Sequence, residues 1–327
     1  MRDPSVTPGV IMAGKIELFS VKDTHGLPFR PLQAWLPAPR RRPAADLPGG
    51  RRPVVALVDT GVADDHPWFA AGTDDPVVVP AAGWTADGSG TRWHGTFVAG
   101  LIHQNGPDAR ILSLQLAQSA LGYILDDQLR AALQWLLTYH EGGGQVDVVC
   151  IPVGFRRDAA THDDTYIDEL AVLITQLSAR GVTVLAAAGN TAVEPGAGTG
   201  LVYPAASAST GTPLTAVGAL TLSGDHWEDS LGGIGGMVWY PGVSVVSTAP
   251  VVTATADQTQ DSTDDLGADV HHEQLPPELV GARFGVGSGT SYAVAGYAGT
   301  VAQAVALGVP VAGLLPFAAG ERGEEPA

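Results

Sequence analysis

Val54-Val55-Ala56-Leu57-Val58-Asp59-Thr60-Gly61 is the stretch on which the fold turns. Five apolar residues, three of them β-branched, describe a strand buried on both faces, the kind found inside parallel sheets. A carboxylate closes that strand, directly before a Thr-Gly turn. Similar runs follow at Ile111–Leu116, Val146–Ile151, Val182–Ala187, Leu214–Val217 and Val243–Val246. Helix-length segments at Gly95–His103, Asp126–His140 and Tyr166–Arg180 lie between them, and an Ala-rich helix is expected over Tyr292–Leu307. Alternating strands and helices are the pattern of βαβ units. Right-handed crossovers place helices on both faces. The expected fold is therefore α/β, a three-layer sandwich around a mostly parallel central sheet, with its functional groups at the carboxyl ends of the strands.

The 327-residue chain is 45% hydrophobic, enough for a sizeable core, and its 42 Gly and 24 Pro imply many tight turns. Lys and Arg number 17 against 34 Asp and Glu, a formal charge of −17. A sequence-independent nucleic-acid site needs clustered basic residues, so no nucleic-acid partner is expected. The one basic run, Arg40–Arg42 with Arg51–Arg52, lies in a Pro-rich stretch and reads as a solvated linker. Cys150 is the sole cysteine, so no intrachain disulfide can form. The first ten residues lack the apolar core of a secretory leader. Together these features favour a cytoplasmic location. The apolar run Ala293–Leu315 is rich in Gly and Ala and reads as a buried helix, so no membrane partner is expected.

Residues 1–52 form a Pro- and Arg-rich extension in which Lys15–Val21 has the composition of a strand; linker, short pro-segment and docking arm all fit. Residues 53–315 form the main domain. Within it Thr253–Leu279 is rich in Asp, Thr and Gln, and reads as a long surface loop. Residues 316–327 are an acidic tail. The adjacent His271 and His272 invite a metal reading, but neighbouring side chains diverge and no partner stands at ligand spacing. Neither a metal nor another cofactor is expected.

Three motifs follow Asp59-Thr-Gly: His94-Gly95-Thr96, Ala187-Ala188-Gly189-Asn190 and Gly289-Thr290-Ser291. An acid, an imidazole, an amide donor and a hydroxyl are the parts of nucleophilic acyl transfer. The acid orients the imidazole, the imidazole takes the hydroxyl proton, and the amide receives the oxyanion. Each motif has an ordinary reading by itself: a turn Asp, a cap His, a Gly-Asn turn and a Ser N-cap. Their joint order, with each at a strand end or helix start, carries the argument. The order Asp…His…Ser differs from those of chymotrypsin-like enzymes and α/β-hydrolases. A single Asp-Thr-Gly also excludes the two-carboxylate aspartic peptidase arrangement. At a helix start the dipole disfavours cationic His94, which suits a base that begins neutral. Ala188 and Gly189 let a ligand approach the backbone closely.

Beyond these motifs the chain resembles the subtilisin-like serine peptidases, the subtilases, over about residues 53–307. The resemblance rests on Val54–Gly61 with His66-Pro67, His94–Gly100, Ala186–Asn190, Tyr203-Pro204-Ala205, Ala216–Ala219, Pro241-Gly242-Val243 and Gly289–Ala293. It implies that Asp59, His94 and Ser291 are a catalytic triad. Asn190 is then the oxyanion donor, together with the Ser291 backbone N–H. It further implies that Leu114, Gln115, Leu116 and Ala117 form one edge of a substrate slot, and Pro152, Val153 and Gly154 the other. A peptide or protein substrate would add itself between them as an extended strand. Val202, where the family often carries Gly, would narrow the first specificity pocket toward small or medium apolar side chains.

Departures from the family pattern also matter. Pro152 lacks an N–H where the family has Ser or Asn. Ala295 stands where Pro is common, so the helix start should be more regular. Gln104–Arg110 is too short for the calcium loop of secreted relatives, and the extension is short for a folding pro-domain. The expected activity is a serine endopeptidase with a dedicated peptide or protein substrate, such as a precursor whose leader is removed. Acyl transfer to an amine, giving ligation or macrocyclisation, uses the same acyl-enzyme and stays open. Ester hydrolysis and a silent peptide-binding module stay open as well.

Overall fold

The computed structural model describes residues 15–18, 20, 28–84, 92–117, 124–157, 163–191, 200–252 and 277–311. The chain opens with two short strands, β1 (Lys15–Leu18) and β2 (Arg30–Leu32), before β3 (Val54–Asp59), all six residues of which are buried. β4 (Val78–Pro80), helix α1 (Trp93–Asn105) and β5 (Arg110–Gln115) follow. Next come β6 (Ile124–Leu125), α2 (Asp126–Glu141), β7 (Val148–Ile151) and β8 (Val153–Arg156). The second half holds α3 (Asp164–Ser178), β9 (Thr183–Ala187), β10 (Val202–Tyr203) and β11 (Thr215–Leu220). β12 (Val238–Pro241), β13 (Val245–Thr248), β14 (Phe284–Gly287) and α4 (Thr290–Ala306) close the described chain.

Seven strands form the central sheet in the order β12-β11-β9-β7-β3-β5-β4, and every pairing in it is parallel. The period-two alternation of β3 divides the core. Val55 and Leu57 pack in one cluster with Phe97 and Ile102 of α1 and Val294 and Val301 of α4. Val54, Ala56 and Val58 join the other, with Leu133 and Leu136 of α2 and Ile174 of α3. Each large side chain so buried contributes about 1.5–3 kcal/mol. Asp59, the next odd position, falls by the same alternation on the α1/α4 face. The two helices on that face approach closely because Gly299 lies against the Ile102 carbonyl, where a Cβ would overlap backbone atoms.

The helices and all six expected strands are observed within a few residues of their sequence boundaries, five of the strands in the parallel sheet. Val243–Val246 is the exception: β13 leaves the parallel sheet and pairs antiparallel with β14, which in turn pairs with β2. The parallel edge position belongs instead to β12, a half-buried Val-Trp-Tyr-Pro segment without the β-branched run of an interior strand. α4 is buried along nearly its whole length among the core residues. No helix among the described residues is long and apolar enough to cross a membrane. Residues 253–276 of the acidic segment, with His271 and His272, and the tail 316–327 lie outside the described residues.

The arginine run is not a solvated linker throughout. Arg52 is buried, donating to the Asp75 carboxylate at 2.5 and 2.8 Å and to the Arg42 carbonyl at 2.7 Å. Arg42 donates through its backbone N–H (2.7 Å) and Nε (2.9 Å) to the buried Asp108, which also accepts from Gln303 of α4 at 2.8 Å. Burial raises the Asp108 pKa, and bonds from Gln303 and Arg42 outweigh it, leaving the carboxyl below its ordinary value. Arg51 is half exposed, on Asp147 at 2.8 Å. The sequence reading missed these contacts because Asp75, Asp108 and Asp147 are remote in the chain.

Candidate active site

The turn after β3 and the start of α1 fit each other through small groups. Gly61 has φ +92°, a left-handed conformation suited to glycine, and a Cβ on Gly95 would overlap the Gly61 carbonyl oxygen. Thr60 Oγ1 accepts from the Gly95 N–H at 3.1 Å, satisfying a donor that the first helical turn leaves unpaired. This contact places His94 over the end of β3. Its Nδ1 lies 2.9 Å from both Asp59 oxygens, and both residues are fully buried. Asp59 also accepts from the Thr60 N–H at 2.5 Å. Nδ1 therefore carries the proton and Nε2 is the acceptor. That Nε2 is buried with no hydrogen-bond partner.

Ser291 and Asn190 meet across the start of α4. Ser291 is its second residue, fully buried, and donates to the Pro152 carbonyl at 2.5 Å. Thr290 holds Asn190: its N–H (3.2 Å) and hydroxyl (3.0 Å) both donate to Asn190 Oδ1, and its Oγ1 accepts from the Gly189 N–H at 3.2 Å. With Oδ1 fixed by two donors, the amide must turn Nδ2 the other way, and that atom too is buried without a partner. Gly189, at φ +98°, allows the sharp exit from β9. Thr290 thus fixes the Asn190 amide, a contact the sequence reading, which treated it only as part of a motif, did not foresee. Cys150, the other nucleophilic type in this core, is inert: burial first, then the Asp59 charge, raises its thiol pKa well above the ordinary value. Among the described residues no group of three His, Cys, Asp or Glu is placed to hold a metal ion.

Near the residues that the resemblance assigned to substrate, a strand of the chain itself is added between two others. Leu114 and Gln115 pair with Val58 and Asp59, and β5 is flanked by β3 and β4. β4 pairs with β5 only at Ile111–Ser113, and Leu116 is buried in the core below. The strand that pairs with β1 on this side is β6, a two-residue strand too short to announce itself in sequence. On the other side stand Val153 and Gly154 of β8. Between them runs the chain's own β1, antiparallel to both, with Lys15↔Leu125, Ile16↔Ile124, Glu17↔Gly154 and Leu18↔Val153. Val202, fully buried on β10, packs its methyl groups against the face of Gly189. Ala188 lies fully buried in the opposite core cluster, tied by its N–H to the Val217 carbonyl at 2.9 Å.

A family model described as the subtilase family matches residues 50–310. Among solved structures, one described as a lanthipeptide protease superposes with a TM-score of 0.56 at 20% identity, covering 78% of this chain and 73% of that one. Another, a cold adapted subtilisin-like serine proteinase, gives 0.51 at 21% identity, covering 77% and 74%. At that identity the two likenesses speak to the fold alone. No curated protein sequence matches. The family match spans β3 through α4 and all four motif residues, and the chain belongs to the subtilase family of serine proteases.

Proposed function

We propose that this protein is an endopeptidase in which Asp59, His94 and Ser291 form the triad and Asn190 the oxyanion site. One observation carries the reading. His94, whose ring lies beside that of Tyr292, and Asn190, held by Thr290, each carry a buried, unpartnered polar atom, and these atoms, His94 Nε2 and Asn190 Nδ2, are a proton acceptor and an oxyanion donor. The Ser291 hydroxyl leaves the Pro152 carbonyl, gives its proton to His94 Nε2, and Oγ bonds to a peptide carbonyl carbon. Asn190 Nδ2 and the Ser291 N–H hold the oxygen as it becomes negative. Collapse breaks the C–N bond, and the amine departs with the proton from His94. Water then hydrolyses the acyl-enzyme by the same route. Asp59 keeps the imidazole in the required tautomer.

The substrate enters as an extended strand between β6 and β8, where β1 now lies, and must displace it. This occupied slot favours a dedicated peptide or protein, for example a precursor losing its leader, over bulk digestion. Val202 against Gly189 favours a small or medium apolar residue before the scissile bond. A cytoplasmic location fits the single cysteine. The test is a diverse peptide library incubated with wild type and with Ser291→Ala. Cleavage and fluorophosphonate labelling should both vanish in the variant. Labelled Ser291 with ligated or cyclised products would make the enzyme an acyl transferase, and an unlabelled wild type would make the fold a peptide-binding module. Rapid unselective cleavage of casein would remove the dedicated-substrate reading.

A further inference from the structure

Arg156 closes β8, and its guanidinium ties that strand to the backbone of Asn190. Nη2 donates to the Asn190 carbonyl at 2.9 Å and Nη1 to the Gly200 carbonyl at 2.7 Å. One planar fork thus joins the end of β8, the exit from β9 and the entry to β10. Its base is firm. Arg156 pairs with Val202, and the preceding Phe155 is fully buried, stacked on Tyr203 at 6.0 Å and edge-on to Tyr166 at 5.3 Å between centroids. Its target is less well held, because β9 ends at Ala187 and Asn190 makes only an isolated bridge to Ser230. That bridge uses the flanking groups, the Gly189 carbonyl on the Leu231 N–H at 2.8 Å and the Thr191 N–H on the Asp229 carbonyl at 2.7 Å. The Asn190 carbonyl therefore faces the other way, and Arg156 meets it there.

We propose that Arg156 is a positioning residue for the oxyanion donor. Thr290 fixes which way the Asn190 carboxamide faces, and Arg156 fixes where its backbone stands. Together they pre-set Nδ2 before any charge develops. A guanidinium suits the task because its donors are rigidly spaced and both bonds are charge-assisted. Without it the Asn190 carbonyl turns to water and the backbone drifts. The assignment rests on the oxyanion role of Asn190 in the peptidase reading.

The experiment uses the full chain and a fluorophosphonate probe. Labelling forms an Oγ–P bond at Ser291 and expels fluoride while the Ser291 proton passes to His94, with the phosphoryl oxygen in the oxyanion position. The final extent of labelling counts competent sites, so the second-order rate is read per folded enzyme. Arg156→Met keeps an apolar stem and removes both donors. It should slow labelling by about tenfold, less than the 10²- to 10³-fold expected for losing an oxyanion donor outright. Arg156→Lys, which keeps the cation without the fork, should regain about threefold of that loss. Beside Asn190→Ala, Arg156→Met should change the rate by less than about twofold, because its route to the chemistry is gone. A residue acting elsewhere would cost the same factor in both backgrounds. If Arg156→Met does not label to completion, Arg156→Lys carries the same cycle, and its smaller loss must vanish beside Asn190→Ala. No loss in Arg156→Met, a loss that Lys leaves unrelieved, or one that persists beside Asn190→Ala overturns this assignment alone. A wild type whose Ser291 does not label, or whose rate ignores Asn190→Ala, takes the peptidase reading with it.

Discussion

The central sheet and the N-terminal arm belong to one chain but are held by different forces. β3 contributes six consecutive buried residues, and apolar side chains from four helices close over it. The arm has little of this. β1 is held by backbone pairing to β6 and β8, residues 41–52 by arginines on carboxylates, and Trp35 stands 82% exposed. Apolar burial is non-directional and cooperative, whereas hydrogen-bonded strands and ion pairs can be exchanged for equivalent partners. A segment proposed to give way to substrate is best attached by the second kind of force. The core that aligns Asp59, His94 and Ser291 is best made by the first.

That contrast can be broken most directly at the nucleophile. Ser291→Ala should lower turnover by about 10⁶-fold while leaving the chemical-denaturation midpoint unchanged; a parallel loss of stability would mean the site is structural. Asn190→Ala should cost about 10²- to 10³-fold in kcat. Next comes packing. Leu57→Ala should destabilise by about 2–5 kcal/mol, whereas Trp35→Ala on the arm should stay within about 0.5 kcal/mol. Equal urea-denaturation shifts for the two would erase the distinction between core and arm.

What was legible in the sequence follows the same division. β3 announced itself because six buried residues in a row leave a dense local pattern, and Asp59 could be placed at its end by counting. His94, Asn190 and Ser291 were legible because glycine and small residues beside them mark sharp turns at element ends. Thr290 was visible but mute, since its bonds to Asn190 and Gly189 span 100 residues. β6 was not legible at all, because two residues give no periodicity, whereas Arg110–Gln115 is a strand by composition. β13 was legible as a strand but not as part of a separate sheet, because an apolar run does not name its partner. The arginines misled for a related reason. Charge looks solvated in sequence, and only the fold brings Asp75 and Asp108 to Arg52 and Arg42.

The junction between the two regions should therefore respond to charge more than to size. Arg52→Ala removes a buried guanidinium and strips the Asp75 carboxylate of its main partner, the contact that holds its pKa below the ordinary value. Asp75 is partly exposed, so water recovers part of the loss. About 1–3 kcal/mol of destabilisation is expected, against the 3–5 of a fully buried broken pair, and urea titration reads it.

A pH dependence comes from two histidines at the same junction. His66 accepts from the Trp68 N–H through Nδ1 at 3.2 Å and donates through Nε2 to the Arg283 carbonyl at 3.0 Å, so it is held neutral. Trp68 in turn donates to the arm at the Leu36 carbonyl, 2.9 Å away. Burial lowers the His66 pKa to about 4, and burial, then the charges of Arg41 and Arg52, lowers that of His103 to about 3. With the unfolded value near 6.5, the unfolded chain binds protons that the folded chain refuses. Stability is complete above about pH 6.5 and falls as the pH drops toward 4, by at most about 1.4 kcal/mol per unit for each ring. His66→Gln should flatten part of that slope in Tm measured between pH 7 and 4.5. A slope unchanged by the substitution would place the acid sensitivity in the carboxylates that anchor the arm.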